Sequence, residues 1–99
     1  MPKKTPVTFA ASAVKDMERI REWYAEQQAS DAGNRLIMNI MAQIERLSAF
    51  PESGRMVPEF GIANLREIIL SPFRIVYRLD KNRARIVRIW RSERQLTMP

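Results

Sequence analysis

The residue pattern predicts an α+β domain in two layers with the element order β-α-α-β-β-β. A short N-terminal strand leads into an antiparallel helical hairpin, which packs on a small antiparallel sheet. Two observations predict this. Apolar residues recur every three or four positions from Val14 to Leu47 and every second position from Leu65 to Trp90, the periods of a helix and of a strand. The gaps between successive elements are short, which confines neighbours to antiparallel pairing. The 99 residues have the length of one small domain covering positions 1–99.

Val7 to Ala10, apolar and just after Pro6, reads as a brief edge strand. Ser12 is a candidate N-cap, and Asp16 falls early in the helix, where an anion is favoured. Val14, Met17, Ile20 and the Trp23-Tyr24 pair then mark one helix face, and the helix is expected to reach Gln28 or Ala29. Ser30 to Asn34 reads as a capped break. Leu36, Ile37, Ile40, Met41, Ile44 and Leu47 form the apolar face of a second helix, with methionine filling core gaps. Pro51 ends that helix, Gly54 turns the chain, and Val57 to Ala63 reads as irregular. Leu65–Leu70, Arg74–Leu79 and Arg85–Trp90 read as three strands of a meander, joined at Ser71-Pro72 and at Asp80-Lys81-Asn82. In the middle strand Ile75, Tyr77 and Leu79 share one face, expected to lie under the helices. Arg74, Val76 and Arg78 share the other, expected to meet solvent or a partner.

Composition narrows the chemistry. Cysteine and histidine are both absent, which leaves no disulfide framework, no thiolate and no imidazole base, and makes a zinc site or any Ser-His or Cys-His pair unavailable. No metal or cofactor is expected. No apolar run approaches the ~20 residues of a membrane span, and Met1–Pro6 is basic without an apolar stretch after it, so a cytoplasmic protein is expected. The net charge of +6 is unevenly placed: bases and acids balance up to Asn64, whereas Leu65 to Pro99 holds nine bases, eight of them arginine, against three acids. Arginine pairs with phosphate or carboxylate in two-point fashion, so this third suits an acidic partner or a nucleic acid, or serves as a solvated sheet face.

Taken in order, Val14 to Trp23-Tyr24, Leu47-Ser48-Ala49-Phe50-Pro51-Glu52-Ser53-Gly54-Arg55, Leu65-Arg66-Glu67, Phe73-Arg74-Ile75-Val76-Tyr77-Arg78 and Ile86 to Arg94 resemble the ParE/RelE toxin superfamily of bacterial type II toxin–antitoxin systems. The likeness covers about residues 7 to 96. It implies an antitoxin encoded beside the toxin that wraps and neutralises it. It also implies one of two activities. ParE-like members bind DNA gyrase and trap its cleaved complex without being enzymes. RelE-like members enter the ribosome and cut mRNA, stabilising phosphate charge with basic residues and moving a proton with Tyr, His or Glu.

By this resemblance Arg74 matches an arginine of both branches, Arg66 falls near a catalytic lysine of the RelE-like branch, and Arg91 stands where many members carry histidine or a basic residue. The tail from Gln95 to Pro99 holds no Tyr or His, where RelE-like nucleases usually carry one. The ParE-like, non-enzymatic reading is therefore favoured, with Arg66, Arg74, Arg78, Arg91, Arg94 and Trp90 as candidates for target or phosphate binding. The alternative is a ribosome-dependent endoribonuclease using Arg66, Glu67, Arg74 and Arg91, with Glu67 as base and Tyr77 as acid. Against these stand plain structural roles: Glu67 as an arginine's partner, Tyr77 as core, and Trp90 as a packing residue or antitoxin contact. A non-toxic binding module is the third reading.

Overall fold

The computed structural model describes residues 4–81 and 83–92. Strand β1 (Val7–Phe9) leads into helices α1 (Ala11–Glu26) and α2 (Ser30–Arg46), then β2 (Arg55–Met56), β3 (Leu65–Leu70), β4 (Phe73–Leu79) and β5 (Ala84–Arg91). The strands form one sheet in the order β1-β5-β4-β3-β2. The predicted meander β3-β4-β5 is present with antiparallel registers. The sheet is mixed rather than wholly antiparallel, because β1 lies parallel to β5, with Val7 opposite Ala84 and Phe9 opposite Ile86. A parallel pair needs a long connection, and here both helices and β2 to β4 lie between β1 and β5. The two-residue β2, which periodicity did not reveal, pairs with β3 through Arg55–Glu67 and Met56–Arg66.

The apolar stripe of the hairpin meets one face of the sheet. Ile20, Ile37, Ile40, Ile44 and Leu47 close over Ile75, Tyr77, Ile86 and Ile89 to form the main core. The break between the helices is Gln27–Ala29, where Gln28 takes φ 56° and the Ala29 N–H donates to Tyr24 O at 2.8 Å. Ser30 to Asn34, read as a capped break, is the first turn of α2. Gly33 is there for packing: a Cβ at that position would sit 2.7 Å from Tyr24 Cβ, so glycine lets the helices approach closely. Val14, Trp23 and Met41, placed on the apolar faces by their spacing, are exposed.

Ser12 does not cap α1; Ala10 stands at that position, and the Ser12 hydroxyl instead donates to Val87 O at 2.6 Å. Asp16 lies beyond the first turn and serves the sheet. It accepts from Arg88 Nε and Nη2 at 2.9 Å and from the Ile89 N–H at 2.8 Å. The β4–β5 register slips here, so that Val76 faces Arg88 while Tyr77 faces Ile86. A side chain from α1 thus satisfies strand groups at the irregularity.

The second face of the sheet is also covered. The segment after β2 crosses it and buries Val57 against Leu65, Val76, Val87 and Trp90. The expectation that this face leaves its arginines in solvent is overturned for Arg74, which is 5% exposed. Replacing Asp16 by Asn should cost about 2–3 kcal/mol, because a nearly buried guanidinium loses its counter-charge; urea unfolding of the full chain measures this.

Candidate functional site

Alternation along β3 sends consecutive residues to opposite faces, and this decides the fate of the predicted constellation. Glu67 points to the second face with Arg74. Its Oε1 accepts from Arg74 Nε at 2.7 Å, and its Oε2 accepts from Arg55 Nε at 2.7 Å. The other edge of the Arg74 guanidinium forms a two-point pair with Glu59, Nη1 to Oε2 at 2.7 Å and Nη2 to Oε1 at 2.9 Å. Arg74 is therefore held between two carboxylates. Its pKa is raised further, chiefly by the hydrogen bond to Glu59, so its charge is permanent. Glu59 is pulled from the usual 4.5 down to about 2, first by that same hydrogen bond.

Arg66 points to the helix side. It lies opposite Tyr77 and donates from Nη1 to Gly54 O at 2.9 Å, gripping the turn that follows α2. The Tyr77 hydroxyl closes the same turn, donating to Pro51 O at 2.7 Å and accepting from the Gly54 N–H at 3.0 Å. Burial raises the pKa of that phenol. A Cβ at Gly54 would fall 2.6 Å from the Tyr77 hydroxyl oxygen and 2.7 Å from Glu67 O, so only glycine fits between them. Tyr77 is core and turn anchor, as its alternation with Ile75 and Leu79 suggested.

Arg91 lies at the other end of the sheet, with its guanidinium 5.6 Å from the centre of the Phe73 ring it stands opposite. Arg66 and Arg91 are two strands and four residues apart in register, on the order of 15 Å. The four residues of the nuclease reading are therefore not gathered: Glu67 and Arg74 meet on one face, while Arg66 and Arg91 stand apart from them and from each other. Trp90 is 4% exposed and packs in the second core, with the Arg88 guanidinium 4.7 Å from its ring centre. That leaves it no surface on which to stack a base. Arg94 lies outside the described residues.

Arg91 also borders a groove of about 260 Å³ between α1 and the end of the sheet, lined by Arg19, Ile20, Trp23, Tyr24 and Phe73 among others. Trp23 stands half exposed there, edge-on to Tyr24 with ring centres 5.0 Å apart. Arg78 faces Arg85 directly across β4 and β5 at the far end of the sheet. Neither Arg55, Glu59 nor Asp16 was singled out as a charge partner from sequence. Glu59 had one legible signal, being the sole acid between Glu52 and Glu67.

From position 7 to position 96 the sequence matches the family described as the ParE toxin of the type II toxin–antitoxin system parDE. The chain belongs to the ParE toxin family. No curated relative matches it. Among solved structures, it resembles a chain of the chromosomal ParDE toxin–antitoxin system from P. aeruginosa with a TM-score of 0.77 at 21% identity, covering 91% of this chain and 98% of that one. It also resembles a chain of the RelBE2 toxin–antitoxin complex from Mycobacterium tuberculosis, with a TM-score of 0.67 at 17% identity, covering 89% of this chain and 98% of that one. These likenesses place the ParE-family chain in the fold shared by the ParE/RelE superfamily of type II toxins. Among the described residues no helix is long and apolar enough to cross a membrane, and no group of acids could hold a metal ion.

The Arg74–Glu59 pair gives this ParE-family chain a defined acid response. A carboxyl whose folded pKa lies near 2 adds stability that is complete above about 4.5 and is lost as the pH falls towards 2. Glu59→Gln should cost under ~1 kcal/mol at neutral pH, because the Glu59 side chain is 47% exposed and screened. The difference from the parent should close between pH 4.5 and 2, as followed by chemical unfolding.

Proposed function

We propose that this toxin acts as ParE-like members do, by binding DNA gyrase rather than by cutting RNA, in the cytoplasm. What supports this reading most is the commitment of both candidate proton-transfer groups. Glu67 is fully buried between Arg55 and Arg74, and the Tyr77 hydroxyl is spent on Pro51 and Gly54. A nuclease needs a base within reach of the ribose 2′-hydroxyl and an acid near the leaving oxygen. The guanidiniums that would hold the phosphate are divided between two faces of the sheet. The resemblance to the ParDE chain supports the same reading.

The neutralising partner is an antitoxin, as both structural neighbours come from toxin–antitoxin systems. The groove beside Trp23 suits an amphipathic segment: Ile20, Trp23, Tyr24 and Phe73 line it with apolar and aromatic surface, and Arg19 offers a cation to acidic side chains. Trp23→Ala should leave the toxin active while weakening its capture by the co-expressed antitoxin, read as growth in the presence of both proteins.

Expression of the chain alone in a bacterial host, with DNA and protein synthesis followed separately, tests the target. DNA synthesis should stop first, with a DNA-damage response. Tyr77→Phe, which lacks any acid at that position, should keep this toxicity if the protein still folds. Early arrest of translation with cut mRNA, abolished by Tyr77→Phe, would instead establish the ribonuclease.

A further inference from the structure

We propose that the β4–β5 end of the sheet, carrying Arg78, Lys81, Arg83 and Arg85, is a surface for the phosphate backbone of duplex DNA. Arg78 and Arg85 stand directly opposite one another in the antiparallel register, a placement that is unfavourable for like charges. Elsewhere in the sheet several arginines have carboxylate partners. Arg74 has Glu59 and Glu67, Arg88 has Asp16, and Arg55 has Glu67. At this end, among the described residues, no carboxylate pairs with Arg78, Lys81, Arg83 or Arg85. Asp80 is the single acid of the hairpin, and its backbone N–H pairs with Arg83 O. Lys81, Arg83 and Arg85 are exposed.

The geometry suits a polyanion. Arg83 and Arg85 are two residues apart, roughly 6.6 Å along the strand, and Arg78 faces Arg85 at about 5 Å between Cα atoms. A duplex carries roughly six phosphate charges, both strands counted, over the ~10 Å of axis that such a patch spans. The choice of a duplex rests in part on the gyrase reading, in which the target is a protein–DNA complex. It rests also on the absence, among the described residues, of an exposed aromatic ring at this end: Tyr77, next to Arg78, is buried, and single strands are gripped largely by stacking on aromatic side chains. An arginine-only surface reads the backbone and not the bases.

The test is equilibrium binding of the purified full chain to a fluorescent 20-base-pair duplex and to a single-stranded RNA of equal length, across a range of salt. The doubly substituted Arg78→Gln/Arg85→Gln protein should bind the duplex more weakly, with its log–log salt slope shallower by about 2. Arg21→Gln/Arg35→Gln, which removes two exposed cations of the helical hairpin, should leave the slope unchanged. Removing a repulsive pair should leave the melting temperature equal or higher, so misfolding would not account for a loss. Unchanged duplex affinity and slope in the Arg78/Arg85 variant overturns the proposal, as does tighter binding to the RNA. Weakened capture of the antitoxin with duplex binding intact overturns it in favour of an acidic protein partner. Arrest of DNA synthesis with unchanged duplex binding sinks this surface and leaves the gyrase reading standing. Duplex binding through Arg78 and Arg85 without such arrest does the reverse.

Discussion

A guanidinium that is almost fully withdrawn from water must be paired, and the second face of this sheet is organised around that requirement. Arg74 and Glu67 have side-chain exposures of 6% and 0%. Taking one partner away from such a buried pair costs roughly 3–5 kcal/mol, since the other charge is left in a poorly polarisable surrounding. The pair recruits what lies about it. Glu67 draws Arg55 onto β3 and so helps to place the two-residue β2, and Arg74 draws Glu59 and the segment that bears it across the sheet. Val57, buried two positions before Glu59, supplies the apolar weight that seats the segment.

The same pairing sorts the arginines by role. Those near an acid become structural, holding α1, β2 or the crossing segment. Arg66 is structural in a different way, since its guanidinium grips carbonyls of the turn after α2 beside the Tyr77 hydroxyl. The groove beside Trp23 lies at one end of the sheet and the facing pair Arg78 and Arg85 at the other. The sequence holds no histidine or cysteine, and the buried carboxylates Asp16 and Glu67 are both paired with arginine.

The fold was legible because its elements repeat their signal. Ile37, Ile40, Ile44 and Leu47 each report the same helix face, and β3, β4 and β5 announce a period of two with turns between them. Where one residue had to carry the signal, reading failed. Ser12 has the chemistry of a cap and spends it on Val87 O. Gly33 looks like a break and is a close contact with Tyr24 inside α2. Of the candidate site, strand alternation indicated the core role of Tyr77, whereas the nuclease reading grouped Arg66 with Glu67 although successive strand residues face opposite ways. The partners of Arg74 did not, because Glu59 reaches it from a segment with no period.

Sequence by itself determined the two layers, the order of the elements, the concentration of arginine in the last third and the absence of imidazole and thiol chemistry. These depend on composition and on contacts between near neighbours, which periodicity records. Tertiary structure alone decided the parallel placing of β1, the covering of the second sheet face, and which arginines are neutralised. Those outcomes depend on contacts that packing creates, among them the charge pairs Arg74–Glu67 and Arg88–Asp16, whose members are 7 and 72 residues apart. Pairing of charges across such separations follows from the packed fold and leaves no local pattern in the chain.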